Sequence, residues 1–135
     1  IETGPEYVAD FSISGALAPG LLQGKFAVYY SEDEGWFENR FDGRQFGAAE
    51  MNIYRAALRL APVEDFEVLL RLEQGFSDSD GPAAQNHALF DRGTFDFSVN
   101  NRGYASGDWE QATLEANWDV AFGDGTITNI YGWRS

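Results

Sequence analysis

An all-β, antiparallel fold is predicted by three features of the sequence. Side chains alternate with period two over long stretches, short turn signals join the alternating runs into pairs, and helical periodicity is hard to find.

The first pair begins at Tyr7. The odd positions Tyr7, Ala9, Phe11, Ile13, Gly15 and Leu17 are apolar or small, with Asp10, Ser12 and Ser14 between them. Ala18-Pro19-Gly20 then reverses the chain, and from Leu22 the even positions Leu22, Phe26, Val28 and Tyr30 are apolar. Setting Leu17 opposite Leu22 brings Ile13 to Phe26, Phe11 to Val28 and Ser14 to Lys25, so one register keeps both apolar rows on one side.

The second pair repeats the pattern. Tyr54, Ala56, Leu58 and Leu60 alternate with Arg55 and Arg59, Pro62-Val63-Glu64-Asp65 supplies a turn, and Phe66, Val68, Leu70 and Leu72 alternate with Glu67, Arg71 and Glu73. In the third, Ala112, Leu114, Ala116, Trp118 and Val120 alternate with Thr113, Glu115, Asn117 and Asp119. Gly123-Asp124-Gly125 suits a three-residue reversal, because glycine accepts positive φ and aspartate fits such turns. The returning strand, Thr126 to Arg134, has an ambiguous apolar face, since Ile127 and Ile130 have opposite parity.

Six strands of ~9–11 residues in three hairpins, with connections over residues 31–50 and 77–108, predict a portion of an antiparallel transmembrane β-barrel: short turns at one end, long loops at the other. Loops of that length rarely lack a purpose in a compact domain. Tyr29, Tyr30, Phe76, Tyr131 and Trp133 fall toward the long-loop ends, and Phe66, Trp118 and Phe122 toward the short turns, as two interfacial belts would. The same alternation also fits a small soluble antiparallel barrel holding an apolar ligand, with the faces reversed.

Composition narrows the function classes. A formal net charge of -13 argues against a nucleic-acid partner. Cysteine is absent, which excludes disulfides and thiolate metal sites. No stretch approaches the roughly 18 apolar residues of a membrane helix, and none reads as a signal peptide. Aromatic residues make up 16% of the chain, yet mean hydropathy is below zero; a wall apolar on one face only has both properties. The start at Ile1 is expected of a processed or excised piece.

Three phrases together resemble TonB-dependent outer-membrane receptors. The stretch MNIYRAALRLAPVEDFEVLLRLEQ is similar to that family's paired barrel strands, WDVAFGDGTITNIYGWRS to a later pair, and YYSEDEGWFENRFDGRQFG to an early external loop. The resemblance covers most of Tyr7 to Ser135 and implies that residues 1–135 are an internal part of a barrel of about 22 strands. The family's plug domain and TonB-contacting segment are not in the sequence, so the strand at Trp133 is expected to pair with a following one. The resemblance further implies an outer-membrane location, lipid around the wall, TonB as the energy-coupling partner through the missing N-terminal part, and import of a small nutrient such as a siderophore, cobalamin or saccharide. It implies no bond-making chemistry, and no catalytic constellation, cofactor or metal site is assigned.

Candidate contacts for such a ligand lie in the loops. In the first, Trp36, Phe37, Arg40, Phe41 and Arg44 mix rings, which stack on planar or sugar ligands, with guanidinium groups, which clamp carboxylate or phosphate. A self-packed loop cluster is the alternative. In the second loop, His87 has no partner at catalytic or metal-ligand spacing and is a minor candidate. Asp78-Ser79-Asp80-Gly81 lacks the spaced ligands and closing glutamate of a calcium loop. The charges Lys25, Arg55, Arg59, Arg71, Glu67, Glu73, Glu115 and Asp119 share the non-apolar face and are expected to form an ion-pair ladder.

Overall fold

The computed structural model describes residues 5–135; the start at Ile1 lies outside them. Eight strands and no helix are found among the described residues: β1 (Glu6–Ala18), β2 (Leu22–Asp33), β3 (Phe37–Asn39), β4 (Arg44–Phe46), β5 (Ala49–Val63), β6 (Phe66–Asp80), β7 (Tyr104–Val120) and β8 (Gly125–Arg134). Six form one antiparallel sheet in the order β1-β2-β5-β6-β7-β8, which is not closed, and β3 pairs with β4 in a second.

Most strands are longer than expected: β5 and β6 have 15 residues each and β7 has 17. The connections are correspondingly shorter, spanning residues 34–48 and 81–103. The reason is that ladder hydrogen bonds belong to the backbone. Pairing therefore continues through polar stretches such as Ser77–Asp80, where apolar alternation has ended.

The chain divides into two compact units. One takes in residues up to Ala9, Tyr30–Asn52 and Phe76–Gly107; the other takes in Asp10–Tyr29, Ile53–Gly75 and Asp108–Ser135.

The second unit holds the turns of the β1–β2, β5–β6 and β7–β8 hairpins. Leu21 N donates to Ala18 O at 3.0 Å, with Gly20 at φ 76, which places Leu17 against Leu22 as expected. The β5–β6 turn contracts to Glu64-Asp65, with Pro62 and Val63 inside β5; proline's fixed φ is compatible with the end of an extended strand. The β7–β8 turn has four residues rather than three. Val120 pairs with Gly125, and Gly123 (φ 75) and Asp124 (φ 49) both adopt the left-handed region, which short polar side chains tolerate.

That turn settles the parity of β8. Trp118 pairs with Ile127, Leu114 with Tyr131 and Ala112 with Trp133, whereas Glu115 pairs with Ile130 and Asn117 with Thr128. Ile127, Tyr131 and Trp133 therefore join the apolar row. Ile130 falls on the polar row, and Asn129, opposite Ala116, interrupts the apolar one; nothing in the structure explains this inversion.

The polar row is a ladder. Arg55 Nε donates to Glu73 at 2.6 Å, Arg59 pairs with Glu67 at 2.8 Å and Arg71 Nη1 donates to Glu115 at 2.9 Å. Asn117 donates to Glu67 at 3.3 Å and accepts from Thr128 at 2.8 Å. Asp119 stands outside the ion pairs and accepts from the Thr126 hydroxyl at 2.6 Å. Lys25, Arg55, Arg71 and Glu73 line one open cleft of about 450 Å³ with Asp10 and Gln111. The arginines are half-exposed, so these pairs order the row more than they stabilise it.

On the opposite row, Phe26, Tyr54, Ala56, Leu72, Ala112 and Trp133 line one shallow groove. Ile13, Leu17, Phe26, Ala56 and Leu58 line another. Large side chains there remain uncovered, among them Ile13 at 62%, Leu17 at 66% and Trp118 at 56% exposure.

Candidate functional site

The first unit contains the chain's tightest packing, and it begins with a hairpin unforeseen from the sequence. Phe37 pairs with Phe46, Glu38 with Gln45 and Asn39 with Arg44. Residues 40–43 make the turn: Gly43 N donates to Asn39 O at 2.8 Å, Gly43 adopts φ 69, and the Asp42 carboxylate accepts from Arg44 N at 3.1 Å. Asp-Gly flanked by Phe37-x-Asn39 and Arg44-x-Phe46 was a readable hairpin signal.

This hairpin is fastened to the second connection through Asn39, which is fully buried. Its amide nitrogen donates to Val99 O at 2.9 Å, and its amide oxygen accepts from Val99 N at 3.0 Å and Phe41 N at 3.2 Å. Arg40 N donates to Phe97 O at 2.9 Å beside a parallel bridge between Asn39 and Phe97. Around this polar knot lie Phe46 and Phe97, exposed by 0% and 1%. Their ring centroids are 5.0 Å apart, and Phe37 meets Phe97 edge-on at 6.1 Å. Offset and edge-on pairs of this kind match the positive rim of one ring to the negative face of another.

Arg102 closes one side of the cluster. Its Nη2 donates to Gln45 O at 2.6 Å and to Asp80 Oδ2 at 2.8 Å, and its guanidinium lies 5.3 Å from the Phe46 ring centroid. Asp80 Oδ2 also accepts from Gly47 N at 3.1 Å and Ala48 N at 3.2 Å. The Arg102 hydrogen bond, helped by those two amides and opposed by desolvation, holds the Asp80 carboxyl below the usual carboxylate range. The same contact pushes the Arg102 guanidinium further up.

The four candidate residues separate. Trp36 stacks on Phe37 with centroids 4.0 Å apart and meets Phe95 edge-on at 5.5 Å. Arg40 pairs with Asp96 at 2.8 Å, an exposed contact that raises its pKa chiefly through that hydrogen bond. Trp36 and Arg40 are thus brought to neighbouring residues, Phe95 and Asp96, of the second connection. Arg44 is exposed in β4, and His87 is exposed in a turn of residues 87–89; no hydrogen bond or ion pair joins either side chain to Trp36 or Arg40 among the described residues. The cluster has a packed part and an exposed part: Phe46, Phe97 and Asn39 are buried, while Phe41, Phe95 and the Arg40 guanidinium reach solvent.

Asn39, Asp80, Phe97 and Arg102 were missed as members of this site, because their partners are 22 to 60 residues away in sequence. Comparison with family models, with curated proteins and with solved structures finds no match.

Proposed function

We propose that the chain is part of the wall and recognition loops of an outer-membrane β-barrel receptor, of the TonB-dependent kind, that imports a small nutrient. The observation that carries this reading is the two-sided sheet. One row is an ion-pair ladder, and the other carries many exposed large apolar side chains, interrupted at Asn129, on a chain with a net charge of -13. A soluble protein rarely leaves an apolar patch of this extent uncovered, whereas a barrel wall faces hydrocarbon with one row and water with the other.

The height of the band supports the reading. From Ala112 to Val120 the apolar row of β7 advances eight residues, or ~26 Å at ~3.3 Å per residue, a rise of ~18–21 Å at a tilt of ~35–45°, within several ångströms of the ~25 Å apolar belt of such barrels. Polar residues close it, with Gln74 Nε2 donating to Glu110 at 3.1 Å on the same row. In this reading β1 and β8, the edges of the open sheet, pair onward to further strands. Trp36 and Arg40 meet an anionic or hydroxylated ligand, and transport draws on TonB.

The test is depth-resolved fluorescence. The chain is reconstituted in phosphatidylcholine vesicles whose acyl tails carry bromine, using variants that retain one tryptophan. Trp118, on the apolar row, is expected to be strongly quenched, and Trp109, on the polar row, much less. Equal quenching at both positions overturns the face assignment. A monodisperse monomer in detergent-free buffer that unfolds cooperatively overturns the membrane reading in favour of a soluble barrel.

A further inference from the structure

Residues 85–96 form a segment whose hydrogen bonds are almost wholly its own. Gln85 donates to Asp91 O at 3.0 Å and Asp96 O at 2.9 Å. Leu89 N and Phe90 N donate to Asn86 O, and Thr94 N donates to Asp91 O. Among the described residues, one ion pair, between Asp96 and Arg40, and one aromatic pair, Phe95 edge-on to Trp36, tie its side chains to the first connection. The next residue, Phe97, belongs to the buried cluster and is anchored through Arg40 N.

Both ties are poised to break. The ion pair is open to water, with Arg40 55% and Asp96 31% exposed, so salt screens it and its net contribution is small. Phe95 sits at φ 56, a left-handed conformation that is strained for a bulky side chain and that the surrounding contacts must hold in place.

We propose that residues 85–96 are a self-occluding flap, hinged at Phe95, that occupies Trp36 and Arg40 until a ligand carrying a carboxylate or phosphate group displaces it. This rests on the reading of Trp36 and Arg40 as ligand contacts. A single oxygen of the Asp96 carboxylate, Oδ1, accepts from two nitrogens of Arg40, Nε at 3.2 Å and Nη2 at 2.8 Å, a place that one oxygen of an anionic ligand can take. The ligand therefore substitutes one carboxylate-like group for another. The exchange frees Phe95 to leave its strained conformation, so release of the flap offsets part of the cost of breaking the internal pair.

The experiment has two arms on the full chain. Hydrogen exchange at Leu89, Phe90 and Thr94 is followed in the wild type at low and high salt and in Asp96→Asn, with the β7–β8 amides as an internal control for folding. Binding of inorganic phosphate is measured for the wild type, Asp96→Asn and Arg40→Ala/Asp96→Asn. The proposal expects faster exchange in 85–96 at high salt and in Asp96→Asn, with β7–β8 unchanged. It also expects phosphate affinity about two- to fivefold higher in Asp96→Asn, and loss of that gain when Arg40 is removed as well. Unchanged exchange in 85–96 at high salt overturns the latch, whether or not the variant folds. Faster exchange without an Arg40-dependent gain in phosphate binding overturns the occlusion and the ligand-contact role of Arg40, and leaves the membrane-wall reading to the quenching test.

Discussion

The indole of Trp109 lies across Gly75, so closely that a Cβ at Gly75 would overlap the six-membered ring at Cζ2, Cε2 and Cη2. The ring is fixed there by its own donor, because Trp109 Nε1 donates to Glu73 Oε1 at 3.0 Å. Glu73 Oε1 also accepts from Gln111 at 3.2 Å, while Glu73 Oε2 accepts from Arg55 at 2.6 Å. Gly75→Ala is therefore expected to destabilise the chain by ~1–3 kcal/mol, the usual scale of overpacking. Trp109→Ala, which removes the ring, is expected to abolish most of the further cost of Gly75→Ala. A double-mutant cycle in urea checks both; additive losses would mean that the two residues do not interact.

Parity makes a second prediction. Leu58 lies on the apolar row and Ala57 on the row of Arg55 and Arg59. In a bilayer, Leu58→Arg is expected to cost ~2–4 kcal/mol near the midplane, and Leu70→Arg a similar amount, whereas Ala57→Arg adds a like charge to a wet row at small cost. Folding yield into lipid vesicles measures the difference. Equal effects at the three positions would contradict the face assignment.

Asn39 is expected to be the most sensitive polar position of the two-connection cluster. Asn39→Ala removes the donor to Val99 O and the acceptor for Val99 N and Phe41 N, which leaves part-buried backbone groups unpaired, at a cost toward the lower end of ~1–3 kcal/mol. Asn39→Asp keeps the acceptor and loses the donor, so it should fall between. Amide exchange at Val99 is the readout, with β7–β8 amides unaffected.

Asp80 gives the cluster a pH dependence. Its folded pKa is depressed below the unfolded value of about 3.9. Its contribution is therefore fully present above that value and is lost as pH falls through the lower folded pKa. The amide proton shifts of Gly47 and Ala48 should titrate together with a midpoint below about 3.9. A midpoint at or above that value would mean that Arg102 does not hold the carboxylate.

What could be read in advance divides by the range of the interaction. The side of each charge was legible, because period-two alternation, a local property of extended chain, puts Arg55, Arg59, Arg71, Glu67, Glu73 and Glu115 on one face. The partner of each was not, and Lys25 and Asp119, expected in the same ladder, make no ion pair among the described residues. The β3–β4 hairpin was also legible in its Asp42-Gly43 turn, although long-range pairing fixes its place within residues 31–50. Ile127 and Ile130 were not decidable, because one residue more or less in the turn exchanges the two faces of the whole strand. The chemistry of Trp36 and Arg40 is legible in the sequence, but that they face Phe95 and Asp96 does not follow from spacing.

By itself, then, the sequence determined the six long strands, the amphipathic faces of all of them but β8 and the register of the first turn, since these depend on side-chain alternation and on turn residues a few positions apart. The tertiary structure decided the parity of β8, the length to which strands run beyond their apolar cores, and the meeting of the two long connections at Asn39, Phe97 and Val99. Those outcomes depend on backbone hydrogen bonds that every residue can make and on contacts between residues as many as 60 positions apart. Neither kind of interaction leaves a periodic mark in the chain.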